Sequence, residues 1–197
     1  MRFSNQETKD LLLAWTLISL AFAIAIRPEA LTLTQRLLIS ASTVGVGFVA
    51  HELAHKAVAT HYGKAAEFKA SLSMLLVSVA VAFSGIVIAA PGAVVISGFV
   101  SRKESGLISA AGPATNIALA LALLPLVFLA ANNTVLQALF SFGFLINAWL
   151  ALFNLIPFGM FDGEKIISWN KPVYALLTLT SVLLVFIGFA FVAPGGF

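Results

Sequence analysis

The sequence has no cysteine, which removes disulfides, thiolate metal ligands and a cysteine nucleophile together. Charge is scarce as well: 10% of the 197 residues are Asp, Glu, Lys or Arg, against 60% hydrophobic, with a mean hydropathy of +1.04. A water-soluble core cannot absorb that much apolar sequence. The chain is therefore expected to be an integral membrane protein, embedded in the lipid bilayer as one domain over residues 1–197. Basic runs are missing too. The 11 Lys and Arg residues are scattered between apolar spans, as orienting loop charges are, so the net charge of +3 makes no case for nucleic acid. Neither an internal repeat nor a low-complexity segment appears, and the remaining polar sequence holds no room for a soluble accessory domain.

What is present is a set of six hydrophobic segments, at about residues 11–26, 37–60, 71–90, 107–131, 135–156 and 172–192. The first is read as an uncleaved span with Trp15 as an interfacial anchor, because Glu7 and Asp10 spoil the basic leader of a signal peptide. Arg27-Pro28-Glu29 ends it. Lys56 is expected to snorkel from the end of the second span, with His61 an interfacial residue. Trp169 and Tyr174 suit an interface ahead of the last span.

The second span carries His51-Glu52-Leu53-Ala54-His55. Imidazoles at i and i+4 share one helix face and can reach one metal ion, and Glu52 beside them can take a proton from water activated by that metal. So short a motif also occurs on ordinary amphipathic helices, but Val44–Ala50 before it offer no solvated face. Ionisable groups this deep in apolar sequence are functional by default. Without thiolates the donors are nitrogen and oxygen, which suits a catalytic zinc site needing a third protein ligand and an open position. Asp162 is the best third ligand. It follows Asn154-Leu155-Ile156-Pro157-Phe158-Gly159-Met160-Phe161, a Pro- and Gly-bearing apolar loop able to fold back into a bundle, whereas Glu7, Asp10, Glu29, Glu67, Glu104 and Glu164 read as loop charges.

At these residues the chain resembles the site-2 protease family of intramembrane metalloproteases. His51–His55 match its HExxH, Asn154 through Pro157 to Asp162-Gly163 match its NxxPxxxxDG, and Gly112-Pro113 with Asn116 match its GPxxN, in the family's order over roughly residues 45–165. The resemblance implies a zinc enzyme with His51, His55 and Asp162 as ligands and Glu52 as the catalytic carboxylate. It also implies that Asn116 and Asn154 face the cleft and bind substrate backbone; for Asn116 an interhelical hydrogen bond is an equal alternative. Phe161 and Glu164 stand where many members have Leu and Gly, which removes no ligand. No regulatory PDZ or CBS domain, as some members carry, is expected within residues 1–197.

A metal site also constrains the topology. Both ligand groups lie toward the C-terminal ends of their spans, so those helices must run parallel, with an odd number of crossings between them. The span at 107–131 is one, so residues 71–100 must enter and return. Charge agrees: with the N-terminus inside, the return leaves Arg2, Lys9, Lys56, Lys64, Lys69, Arg102, Lys103, Lys165 and Lys171 inside against Arg27 and Arg36 outside, whereas a crossing would split them five to six. The expected fold is thus an all-α membrane protein. It is a polytopic helical bundle of about five full spans, with 71–100 forming a re-entrant hairpin or a helix with an extended return. Residues 93–97 are expected to present an edge strand to which an extended substrate could add.

The expected activity is zinc-assisted hydrolysis of peptide bonds within or near transmembrane segments of membrane protein substrates, in the cell membrane with a cytosolic N-terminus. Two alternatives use the same residues: a divalent-metal transporter with His51, His55 and Asp162 as its permeation site, and a silent homologue that binds membrane helices without cutting them. The lack of inverted halves weighs against the first, and the intact Glu52 against the second.

Overall fold

The computed structural model describes residues 1–25, 31–87 and 92–192. Helices α1 (Asn5–Ala25), α2 (Leu33–Ser40), α3 (Val46–His61), α4 (Leu72–Ala82), α5 (Arg102–Leu129), α6 (Thr134–Asn154), α7 (Asp162–Trp169) and α8 (Lys171–Ile187) dominate, with strands β1 (Ala65–Ala70) and β2 (Gly92–Ser97) between them. Five helical stretches are long and apolar enough to cross a membrane: Asn5–Ala25, Leu33–His61, Arg102–Leu129, Thr134–Asn154 and Lys171–Val192. The fold is the expected helical membrane bundle, and its little sheet is confined to one ribbon. Arg27, Pro28 and Glu29, expected as a break, lie outside the described residues.

Residues 71–100 enter and return. Strand β1 pairs antiparallel with β2, with Ala70 opposite Gly92 and Ala65 opposite Ser97, so the chain re-emerges at the depth at which it left. The outgoing limb is the 11-residue α4, too short to span, and the returning limb is β2, the helix-with-extended-return form. Strand β1 has no counterpart in the sequence reading.

Helices α2 and α3 join through a π-helical turn, Ala41–Gly45. The Ser42 and Thr43 hydroxyls donate back to the Leu38 and Ile39 carbonyls, each at 2.7 Å, and so compete for ladder acceptors just ahead of the turn. Trp15 donates its Nε1–H to the Ala41 carbonyl at 3.1 Å. It packs on Gly45, where a Cβ would come within 2.5 Å of the indole.

The bundle is drawn together at small residues. Gly47 on α3 admits Asn147 of α6, and Gly143 on α6 faces Thr43. One core gathers Ile117, Phe144, Ala148 and Leu184 of α5, α6 and α8; another joins α1, α3 and α6 to the ribbon through Ile18, Phe48, Phe142 and Phe68. Two charges expected in loops or snorkelling are inside: Lys56 and Glu7 are buried and ion-paired with each other, and the Lys56 ammonium lies 4.3 Å from the Phe3 ring centre. Lys56 cannot snorkel because the N-terminal residues and β1 close over the end of α3.

Candidate metal centre

Helix α3 presents His51 and His55 one above the other, and the loop after α6 brings Asp162 back to them. That return is tight: Gly159 has φ +76°, and a Cβ on Gly163 would strike the Leu155 carbonyl. Asp162 opens α7, where a negative charge meets the positive end of the helix dipole. Helix α7 lies close against α5 because Gly106 leaves room for the Trp169 side chain. The Phe161 ring, at a departure from the family pattern, packs edge-on against Phe153 at 4.9 Å.

The three donor atoms converge. His51 Nε2 and His55 Nε2 are 2.9 Å apart, and Asp162 Oδ2 is 3.4 Å from the first and 3.2 Å from the second. An ion holding ligands at about 2.0–2.1 Å in a tetrahedron separates them by about 3.3 Å, so the triangle fits zinc with one position left open. His51 Nδ1 is 2.6 Å from Asn116 Oδ1, and His55 Nδ1 is 2.7 Å from the Ile108 carbonyl. Asn116 Nδ2 donates to the Gly47 carbonyl and to Asn147 Oδ1, which fixes its amide with oxygen toward His51. Both imidazoles therefore carry their proton on Nδ1 and turn bare Nε2 lone pairs toward each other and a carboxylate. Such a cluster repels itself unless a cation sits within it.

Helix α5 clears the space in front of these atoms. A Cβ on Gly112 would lie 2.5 Å from both Nε2 atoms, where the cation belongs. Glu52, Asn154, Ser109 and Lys165 line the same cleft, of about 270 Å³, and the Glu52 carboxylate sits beside the Val94 backbone N–H. Strand β2 forms the opposite lip. The Phe68 and Ala70 N–H groups of β1 point away from β2, onto Glu7 and Asp10, so the ladder runs through Glu67 and Lys69. Opposite residues in an antiparallel pair alternate in this way, so Val94 and Ile96 turn their own N–H and C=O outward along the cleft. Among the described residues no strand pairs with that edge.

The structure brings His51, His55, Asp162, Glu52 and Asn154 to one place. Asn116 is fully buried behind the His51 ring, with its amide committed to His51, Gly47 and Asn147, and it does not line the cleft. The interhelical alternative describes its position. Asn147 escaped the sequence reading, although it stands seven residues before Asn154, two turns up the same face of α6. Asn116→Ala is expected to weaken zinc binding about 10–100-fold, as removal of a partner that orients a ligand does, with helicity retained. Zinc titration of the purified variant measures it, and unchanged affinity would remove Asn116 from the site.

No family model matches the chain. Among curated proteins, it is 37% identical over 180 residues to "Putative zinc metalloprotease MJ0611" of Methanocaldococcus jannaschii, an alignment covering 90% of this chain and 92% of that protein. No solved structure matches.

Proposed function

The chain belongs to the zinc metalloprotease family of this relative, and from that premise we propose that it is an intramembrane protease of the site-2 type. It would cut membrane protein substrates within or near their transmembrane segments, in the cell membrane with the N-terminus in the cytosol. The observation that carries the reading is the meeting of a His/His/Asp donor set and Glu52 in one cleft between apolar helices long enough to span a bilayer. The transporter alternative gains nothing from the free strand edge beside Glu52.

His51, His55 and Asp162 would hold zinc, which supplies Lewis acidity when bound, polarising a carbonyl and making water acidic enough to attack near neutral pH. Asn116 and the Ile108 carbonyl keep the two imidazoles in the tautomer that leaves Nε2 free. Glu52 takes the proton of the attacking water and passes it to the leaving amine. A helical substrate hides its carbonyls in i to i−4 bonds, so it must unwind before it can react. The outward N–H and C=O groups of Val94 and Ile96 offer the unwound segment replacement main-chain bonds by strand addition, with Asn154 on the far wall as a further donor or acceptor. Substrates with helix-weakening residues suit this requirement, and the resemblance to the site-2 protease family implies that they are first shortened by another protease.

Purified protein in vesicles with a single-span substrate tests the proposal. Cleavage should stop on chelation and return with zinc, and zinc-loaded protein that leaves every such substrate whole overturns it. Proline at Val94 and Ile96 removes the outward donors without touching the ladder to β1. At about 1 kcal/mol per lost hydrogen bond, V94P/I96P should lower kcat/KM roughly 30-fold with zinc content intact. Unimpaired cleavage would remove strand addition.

A further inference from the structure

Helix α1 meets the ribbon along the edge that β2 does not occupy, and it does so with carboxylates. Glu7, 1% exposed, accepts the Phe68 N–H at 3.0 Å through Oε1, while Asp10 one turn later accepts the Ala70 N–H at 3.0 Å through Oδ2. Phe68 and Ala70 are alternate residues of β1, so the two side chains satisfy successive outward donors as a neighbouring strand would. The other oxygen of Glu7 pairs with Lys56, 2% exposed and next to His55 on α3. One side chain thus ties together α1, the helix that carries the metal ligands, and β1.

A buried ion pair adds little to stability compared with well-packed apolar residues of the same size, and its best-attested use is to fix a register. Here the register matters. The ribbon is only two strands wide, and an isolated pair of strands is marginally stable at best. Its inner edge is the one facing Glu52, so whatever holds β1 against α3 sets where Val94 and Ile96 stand relative to the metal ligands.

We propose that Glu7 and Asp10 are positioning residues for substrate binding: by accepting the outward Phe68 and Ala70 N–H groups they clamp the outer edge of the ribbon and so hold its inner edge at the level of Glu52. The proposal rests on the reading that an extended substrate pairs with β2.

The test uses the full chain in vesicles, zinc-loaded, with a single-span substrate. E7Q/K56M removes both charges but keeps an amide oxygen to accept the Phe68 N–H, and its KM should stay within about twofold of the parent. E7L/K56M removes the charges and the acceptor while preserving volume. It should bind zinc fully and keep kcat within about threefold, with KM raised at least about tenfold, the pattern of lost ground-state binding. A parental KM in E7L/K56M, or an equal rise in E7Q/K56M, overturns the clamp. If E7L/K56M does not fold, the pair D10N and D10L decides: only D10L should raise KM, and equal values overturn the proposal. The V94P/I96P protein separates the two levels. Normal cleavage by it defeats strand addition itself, whereas impaired cleavage there with parental KM in E7L/K56M defeats the clamp alone.

Discussion

Glu52→Gln should keep its zinc and lose its proteolysis, falling about 10²–10⁴-fold in kcat, the range that a positioned general base contributes. Gln fills the same space and keeps one side-chain oxygen in the cleft, so the lip of the cleft should not move. What it cannot do is take a proton from water. Because Glu52 is not among the three converging donors, metal stoichiometry by elemental analysis should equal that of the parent. Undiminished cleavage would remove Glu52 from the chemistry, and zinc lost along with activity would make it a structural residue. Zinc flux across vesicles surviving in this variant would instead support transport.

Gly112→Ala should do the reverse, removing the metal from an otherwise intact bundle. The added methyl group would lie 2.5 Å from the Nε2 atoms of both histidines, and neither ring is free to retreat. His51 is held from behind by Asn116 and His55 by the Ile108 carbonyl. Sites of this kind tolerate only about ±0.2 Å in ligand distance. Zinc affinity should fall at least about 100-fold, the upper end of what loss of a ligand's support costs, and cleavage with it. Gly143→Ala is the fitting control: it adds the same methyl group at another helix contact, 3.0 Å from the side-chain tips of Leu123 and Thr43, and should leave zinc bound. Parental zinc affinity in Gly112→Ala would mean that α5 is not the wall of the site.

The metal ligands were legible in the sequence because local rules place them. The i, i+4 spacing sets His51 and His55 on one face whatever the rest of the fold does, and the Pro-Gly segment before Asp162 announces a reversal. Requiring these groups to meet then forced residues 71–100 to return, as the pairing of Ala70 with Gly92 bears out. Strand β1 was not legible. Ala65-Ala66-Glu67-Phe68-Lys69-Ala70 has little strand propensity, and its extended form depends on β2 along one edge and on Glu7 and Asp10 along the other. The Glu7–Lys56 pair was hidden for the same reason. A lysine near a helix end and a glutamate near the N-terminus each look solvated alone, and only the tertiary fold brings together residues 49 positions apart.

The π turn at Ala41–Gly45 gives the span from Leu33 to His61 one residue more than regular winding would hold. Each residue of an ordinary helix advances about 100° around the axis, and the wider turn absorbs one surplus residue without swinging everything downstream by that angle. Closing this turn to regular winding with its length unchanged would rotate the imidazoles about 100° away from Asp162 without altering a single ligand, and removing one residue at the same time would bring them back. The stretch between Ala41 and His51 therefore behaves as a ruler whose length, more than its composition, aims the metal-binding face at its partners.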